Sequence, residues 1–513
     1  MLVKTFAAAV NGISATIITI EVSCTKGIQF FLVGLPDVAV RESHERIISA
    51  LQVNGYKFPR SRIVINMAPA DIRKEGSAYD LPLAIGVLAA AGDIEATILD
   101  KYMLMGELSL DGNLQPIKGA LPIAIKAREE GFKGLILPQK NAREAAVVDK
   151  LDVLGAGNIK EVIEFFSGKG RLEPTIVDTR EEFLAQQQHF DSDFSDVKGQ
   201  ENVKRALEVA AAGGHNMVMI GPPGSGKSML AKRPPTILPP LSLQEALETT
   251  KIHSVAGKVG EQTSLLSQRP FRSPHHTISN VAMVGGGSFP QPGEVSLSHN
   301  GVLFLDELPE FNRSVLEVLR QPLEDRHINV SRARFSVDYP AGFMLVASMN
   351  PCPCGFYNHP TRPCVCPPGS VQKYLNRISG PLLDRIDIQI EITPVPFEKI
   401  SEAKSSETSA AVRERVIKAR GIQKKRFEPH KGIHCNAQMS SKLLHRYAAP
   451  DNEGLSLLKT AMQRLDLSAR AYDRILKLSR TIADLDESEN IKSNHLAEAI
   501  NYRNLDRESW GLA

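Results

Sequence analysis

The sequence predicts an α/β protein built in two main parts, and three observations carry that prediction. A glycine-rich loop, Gly221-Pro222-Pro223-Gly224-Ser225-Gly226-Lys227-Ser228, follows the apolar run Met217–Ile220 and matches G-x-x-x-x-G-K-[ST] in full. A second apolar run, Gly301-Val302-Leu303-Phe304-Leu305, ends in the adjacent carboxylates Asp306 and Glu307. Residues 1–168 alternate strand-like and helical patterns and contain no such loop.

Composition sets the bounds. A chain of 513 residues is too long for one core, so two to four domains are expected. With 42% hydrophobic and 23% charged residues it reads as a soluble globular protein. No apolar run approaches the roughly 20 residues of a spanning helix. The opening residues look like a strand rather than a leader, so no membrane partner and a cytoplasmic location are expected. A net charge of +3 neither demands nor excludes nucleic acid, which leaves any such contact to local patches. Six cysteines argue against a disulfide scaffold.

In the first part, strands are expected at Ile17–Val22, Ile28–Val33, Arg62–Ile65, Met103–Leu110 and Gly134–Leu137. Helices are expected at Val38–Leu51, Leu81–Ala91 and Leu121–Glu130, with a hairpin signal at Asp111-Gly112. Residues 171–193 carry six acids against two basic residues and no apolar periodicity, and they read as a linker. The domains are therefore placed at 1–168, a linker at 169–193, a nucleotide-binding core at 194–395 and a helical region at 396–513.

The chemistry lies in the second part. Glycines let the backbone N–H groups of the loop turn in around a β-phosphate, Lys227 reaches the β/γ oxygens, and the Ser228 hydroxyl can coordinate Mg²⁺. A buried parallel strand ending in acids puts Asp306 beside that Mg²⁺ and Glu307 where it can polarise an attacking water. ATP binding and hydrolysis follow from the pair of motifs. Val197–Gln200, upstream of a helix at Val203–Ala212, is a candidate adenine contact. Adjacent His275 and His276 point in different directions on any regular element, so loop hydrogen bonds are expected rather than a shared metal. They open a glycine- and proline-rich insert, of the kind that is usually functional.

Further downstream, Arg326, Arg332, Arg334 and Phe335 lie in β-like sequence and could grip a phosphate backbone and stack a base; a solvated edge hairpin is the alternative. The strand Phe343–Ala347 leads to Asn350, whose amide could hold the attacking water or the γ-phosphate. Cys352, Cys354, Cys364 and Cys366 form two tight pairs that can satisfy a tetrahedral Zn²⁺, with free thiols or redox chemistry as the alternatives. Arg385 is placed to reach a neighbouring subunit's γ-phosphate or to make a surface ion pair. Residues 411–426 form a basic helix, Arg413, Arg415, Lys418, Arg420, Lys424, Lys425 and Arg426 against Glu414, with a solvated face expected. Arg470, at a helix start, could contact the nucleotide from a lid.

Two resemblances add to this reading. Met105–Ile117, with Lys74-Glu75-Gly76 upstream and Leu135–Pro138 downstream, resembles the proteolytic domain of Lon-type proteases, a ribosomal S5 domain 2-like α+β fold with a Ser–Lys dyad. In register the family's lysine falls near Leu121 and its serine near Leu81, with Ser77 a short slip away. A serine without that lysine is a poor nucleophile, so a degenerate, non-proteolytic domain is expected.

From Asp196-Val197-Lys198-Gly199-Gln200 through Arg269–Gly287, Pro292–Ser296, Asn350–Gly355 and Ser379–Asp387, the chain resembles the YifB/ComM family of magnesium-chelatase-like AAA+ ATPases. The likeness implies an AAA+ P-loop parallel-sheet core with a C-terminal helical lid. It implies Lys227 and Ser228 as Walker A, Asp306 and Glu307 as Walker B, Asn350 as sensor 1, Arg470 as sensor 2, and Arg385 as the finger acting in trans, with Arg377 a rival. It further implies a homo-oligomeric ring, a hexamer, and a helicase or translocase on single-stranded or branched DNA, driving branch migration in recombination or natural transformation. The hairpin before sensor 1 would be a pore loop. A chelatase-like or chaperone-like motor that remodels a partner protein without DNA is the alternative. Pro234 departs from the leucine expected there and should stop the Walker A helix early, lowering stability, at about 3 kcal/mol, rather than nucleotide binding.

Overall fold

A computed structural model describes residues 1–187, 190–287, 290–332, 335–359, 361–395, 406–430, 432–465 and 467–503. The chain gathers into two compact units. The first comprises Met1–Gln186 with Ser242–Ser267 and Pro290–Pro292, and the second takes the rest of the described chain. The chain thus leaves the second unit after Leu241 and returns to it at Gln268.

The first unit is built on a mixed sheet of β1 (Leu2–Asn11), β2 (Ser14–Thr25), β3 (Gln29–Val33), β4 (Arg62–Ala68), β5 (Tyr102–Leu104), β6 (Gly134–Pro138) and β7 (Asp152–Ala156), in the order β3-β4-β2-β1-β5-β6-β7. Ile18, Ile20 and Val22 are buried at every second position of β2, the alternation of a sheet with one covered face. The helix Asp80–Ala91 covers that face and is buried from Asp80 to Ala90. Its first-turn carboxylate, Asp80, is fully buried and accepts both Nε (2.7 Å) and Nη2 (2.8 Å) of Arg46 on the helix Ser43–Val53.

Two expected elements are interrupted. Val38–Leu51 divides at Glu42 into helices Val38–Arg41 and Ser43–Val53. The strand expected over Met103–Leu110 leaves the sheet after Leu104, because Gly106 N–H donates to Ala78 O (2.8 Å); Glu107–Leu108 then pairs with Leu114–Gln115 across Asp111-Gly112. Within the stretch read as a linker, Thr179–Gln186 is helical, and Glu182 accepts from Arg143 (2.7 Å) and Ser264 (2.8 Å) in the same unit.

The second unit holds a parallel sheet of β8 (Met217–Ile220), β9 (Phe271–Arg272), β10 (Val302–Leu305), β13 (Met344–Met349) and β14 (Ile388–Glu391), in the order β9-β10-β13-β8-β14. β8, β10 and β13 are buried along their whole length, as strands covered on both faces are. Between β10 and β13 the chain makes the hairpin β11 (His327–Arg332) and β12 (Phe335–Pro340), with Arg332 opposite Phe335. Arg334 and the side chains of Arg332 and Phe335 lie outside what is described.

Helices Ser409–Phe427, Ser441–Tyr447, Asn452–Arg464, Ala469–Leu485 and Ser493–Asn501 follow, as expected of a helical C-terminal region. The basic helix is a solvated face only in part: Glu414, Lys418, Lys424 and Lys425 are exposed, but its arginines are not free. Arg413 donates to Leu238 O (3.2 Å), Arg415 to Glu208 (2.5 Å) and Arg420 to Ala211 O (3.0 Å), while Arg426 pairs with the buried Asp484 (2.7 Å). Four of its seven cations therefore anchor the helix inside the unit.

A buried polar network fastens the Ala469–Leu485 helix to the sheet. His215, just before β8, contacts Asp387 through Nδ1 (3.0 Å) and Thr481 through Nε2 (2.8 Å), and Arg474 pairs with the other oxygen of Asp387. Burial pushes the His215 imidazole below its ordinary pKa. Burial opposes ionisation of Asp387, but Arg474 and His215 prevail and hold its carboxyl well below the usual range.

Candidate active site

The phosphate loop leaves β8 at its C-terminal end, between the ends of β13 and β14, the crevice where parallel sheets bind ligands. Gly224 (φ +76°) and Gly226 (φ +88°) hold the left-handed conformation that a side chain would strain, and nothing stands within 4 Å of where a Cβ would project from either. The Ser225 hydroxyl is buried without a hydrogen-bond partner among the described residues. An open cradle with an unpartnered donor suits an oxyanion.

Lys227 starts the helix Lys227–Ala231, and its ammonium folds back onto Gly221 O (2.8 Å), Pro222 O (2.9 Å) and Asn350 Oδ1 (3.2 Å). Burial pushes it below its ordinary pKa, and Asp306 and Glu307 pull it back part of the way. Ser228 Oγ donates to Asp306 Oδ2 (2.8 Å), while Ser348 Oγ donates to Asp306 Oδ1. A hydroxyl and a carboxylate at this spacing are hard oxygen donors of the kind Mg²⁺ takes.

Glu307 follows in the left-handed region (φ 55°), a conformation worth about 1–3 kcal/mol of strain in a non-glycine residue. Its carboxylate lies 3.6 Å from His276 Nδ1. His276 stacks on His275, with ring centroids 4.0 Å apart, and His275 bonds Thr277 Oγ1 (2.9 Å). The loop hydrogen bond expected of the histidines is present for His275, whereas His276 stands beside a predicted catalytic acid.

The predicted arginines find partners elsewhere. Arg385 pairs with Glu324 and donates to Pro381 O (2.5 Å), with its side chain 12% exposed. Arg377 is 53% exposed, bonds Glu310 (2.9 Å) and lines a cleft of about 480 Å³ with Arg313 and Lys373. Arg470, 69% exposed, bonds Asp384 (2.8 Å). Val197 is buried in the core, and Gln200 donates to Thr393 O (2.6 Å).

The four cysteines converge after β13. Their sulfurs all lie within 4.8 Å of one another, with Cys352–Cys354 at 3.3 Å, Cys354–Cys364 at 3.6 Å and Cys352–Cys364 at 3.8 Å. All are free thiols. Zn–S bonds of about 2.3 Å in a tetrahedron give edges of about 3.8 Å, so the set fits one zinc ion. Tyr357 N–H (to Cys352, 3.3 Å) and Cys354 N–H (to Cys366, 3.4 Å) donate to sulfur, the support that thiolate ligands receive.

In the first unit, Leu81 and Leu121 are both fully buried, so the positions that the Lon resemblance gives to its dyad carry neither nucleophile nor base. Ser77 opens the short turn Ser77–Tyr79, and Lys74, buried and lowered in pKa by that burial, donates to Pro69 O. Pro234 does interrupt the helix. Lys227–Ala231 ends, and Pro234 takes the first position of a new helix, Pro234–Ile237, where a missing N–H is harmless.

Sequence reasoning missed Ser348 and the role of His276. Ser348 has no sequence signal beyond its place at a strand tip, while His276 lies in an insert whose length alone marked it as functional.

Three family profiles match the chain: "Magnesium chelatase, subunit ChlI" over residues 193–400, "Subunit ChlI of Mg-chelatase" over 20–141, and "Magnesium chelatase, subunit ChlI C-terminal" over 406–503. YifB of Escherichia coli (strain K12) is 45% identical over 504 residues, 97% of this chain and 96% of that one. The competence protein ComM of Haemophilus influenzae is 43% identical over 508 residues, covering 98% and 97%. Lon protease 2 of Bacillus subtilis is 30% identical over 157 residues, 28% of this chain and 27% of that one. ATPase activity and the use of nucleotide and Mg²⁺ are general to the magnesium-chelatase-like AAA+ group. Among the described residues no helix is long and apolar enough to cross a membrane. Matched over nearly its full length, the chain belongs to the YifB/ComM family of magnesium-chelatase-like AAA+ ATPases, with a Lon-protease-like N-terminal part.

Proposed function

We propose that this chain is a subunit of a hexameric ring that hydrolyses ATP to move DNA, promoting branch migration on single-stranded or branched substrates. The observation that carries the ATPase reading is the convergence of Lys227, Ser228, Asp306 and Asn350 at the C-terminal ends of neighbouring parallel strands. In this reading the loop N–H groups and Ser225 receive phosphate oxygens. Lys227 exchanges its loop carbonyls for those oxygens, which stabilise the ammonium charge that burial disfavours.

Ser228 and Asp306 hold Mg²⁺, with Ser348 orienting Asp306; the ion, when bound, neutralises charge on the phosphates. Glu307 orients the attacking water and takes up its proton, and Asn350 aligns it. Arg470 contacts the nucleotide from the helical region, and an arginine supplied by the neighbouring subunit stabilises the developing charge. Exposure favours Arg377 for that role over the largely covered Arg385. Cys352, Cys354, Cys364 and Cys366 hold a structural Zn²⁺. The first unit is non-proteolytic, because its dyad positions are buried leucines.

The DNA reading rests on the hairpin β11–β12, where Arg332 pairs with Phe335 and Arg334 lies between them in sequence, and on the likeness to a relative named as a competence protein. The nucleotide core is read as 194–395 and the helical lid as the residues after 395, with Ser242–Ser267 and Pro290–Pro292 of that range packing with the first unit. Binding to forked DNA at several salt concentrations tests the DNA reading. Affinity that falls steeply with salt, and falls further in Arg332→Ala/Arg334→Ala, supports the reading. Hydrolysing protein that binds no DNA favours instead a motor that remodels a partner protein, in keeping with the chelatase-subunit profile over 193–400.

A further inference from the structure

Two contacts join the four-cysteine cluster to the phosphate loop. The first runs through the chain itself. Cys352 stands two residues after Asn350, whose Oδ1 accepts from Lys227 Nζ (3.2 Å). The second is a close approach. Gly355, next after Cys354, has φ +84°, and a Cβ placed on it would sit 2.5 Å from Cδ and 2.8 Å from Cγ of Pro223, the third residue of the loop.

The turn between these contacts is held by Gly355 N–H on Cys352 O (3.0 Å). Cys354 N–H on Cys366 Sγ (3.4 Å) links that turn to the second cysteine pair. Cys352 is fully buried. Residues 350–355 are therefore at once a wall of the phosphate loop and half of the thiol cluster. Four neutral thiols attract one another weakly, whereas four metal–thiolate bonds fix their positions.

We propose that Zn²⁺ held by Cys352, Cys354, Cys364 and Cys366 sets the affinity of the phosphate loop for nucleotide, by clamping the Asn350–Gly355 turn against Pro223. The proposal rests on the reading of Gly221–Ser228 as a nucleotide site and of the cluster as a zinc site. Losing the metal releases the 364–366 arm from the turn, and the loop wall loses its support. A site built for phosphate tolerates little displacement; in catalysis a misplacement of about 1 Å costs about 100-fold in rate, and a smaller loss is expected in affinity.

The test measures zinc per chain by mass spectrometry and the Kd for a fluorescent ADP analogue on the full chain. It compares zinc-loaded protein, protein stripped by chelator under reducing conditions, and stripped protein given zinc again. Gly355→Ala and Lys227→Ala complete the set, with far-UV circular dichroism as a check on folding. Stripping should weaken ADP binding about 10-fold or more, and zinc should restore it. Gly355→Ala should keep its zinc and still bind ADP about 10-fold more weakly, which decides the matter even if stripped protein unfolds.

Zinc well below one per chain, or ADP affinity unchanged both by stripping and by Gly355→Ala, overturns the proposal. Failure of the underlying nucleotide reading looks different. Zinc-loaded wild type would then bind no ADP, or would bind it no better than Lys227→Ala does.

Discussion

Removing the Asp484 carboxylate should loosen the C-terminal helices from one another by a predictable amount. Asp484 is fully buried and accepts from Arg426 (Nη1, 2.7 Å), Arg480 (Nε, 3.1 Å) and Asn436 (Nδ2, 2.8 Å). Asp484→Ala leaves two guanidinium groups, with side chains 12% and 4% exposed, without their anion. Breaking a buried pair from one side costs about 3–5 kcal/mol. Here the lower end applies. Arg480 keeps Glu489 O (2.7 Å) and Ser488 O (2.5 Å), and Arg426 keeps Asn436 Oδ1 (3.0 Å).

A loss of about 3 kcal/mol is about a 100-fold rise in local opening. Hydrogen exchange read by mass spectrometry on peptides from 469–485 measures it directly, without requiring a two-unit chain to unfold in one step. Asp484→Asn keeps the shape and one acceptor and should lose about half as much. Protection in Asp484→Ala within about 1 kcal/mol of wild type would refute the Asp484 ion pairs as what holds these helices together.

Two further outcomes follow from the same geometry. The lowered pKa of His215 means the unfolded chain binds that proton first, so stability should fall as pH drops below the unfolded value of about 6.5. The lowered pKa of Asp387 adds a further loss below about pH 4. His215→Gln should flatten the slope of the urea midpoint between about pH 5.5 and 7, and an unchanged slope would assign the titration to another group. Pro234→Leu should raise the unfolding free energy by less than the roughly 3 kcal/mol of a mid-helix proline, because the chain already restarts a helix there, with ADP affinity unchanged. A loss of stability in that variant would mean the break is required.

Much of the second unit was legible because its chemistry is carried by adjacent residues. Gly221–Ser228 and Asp306-Glu307 each announce themselves within eight positions, and the buried strands beneath them are continuous apolar runs. Positions set by tertiary contact were not legible. Nothing in the spacing of Ser348, His276 or Gly355 says that they meet Asp306, Glu307 and Pro223, because each meeting depends on how separate strands and loops are laid side by side.

The basic helix was legible only in its lysines, for the same reason. Its arginines look like a solvated stripe until Glu208, Ala211 and Asp484 are brought to them by other segments. The strand expected over Met103–Leu110 failed on a local event, the hydrogen bond that draws Gly106 to Ala78, which period-two alternation does not encode.

The central claim is an ATPase coupled to DNA, and one measurement bears on it most directly: the steady-state ATPase rate with and without forked DNA, for wild type and for Glu307→Gln. The account predicts that wild type hydrolyses ATP faster when DNA is added. Glu307→Gln should bind ATP but hydrolyse it at least about 100-fold more slowly under either condition. Hydrolysis indifferent to every DNA tested, or a Glu307→Gln variant as active as wild type, would contradict it.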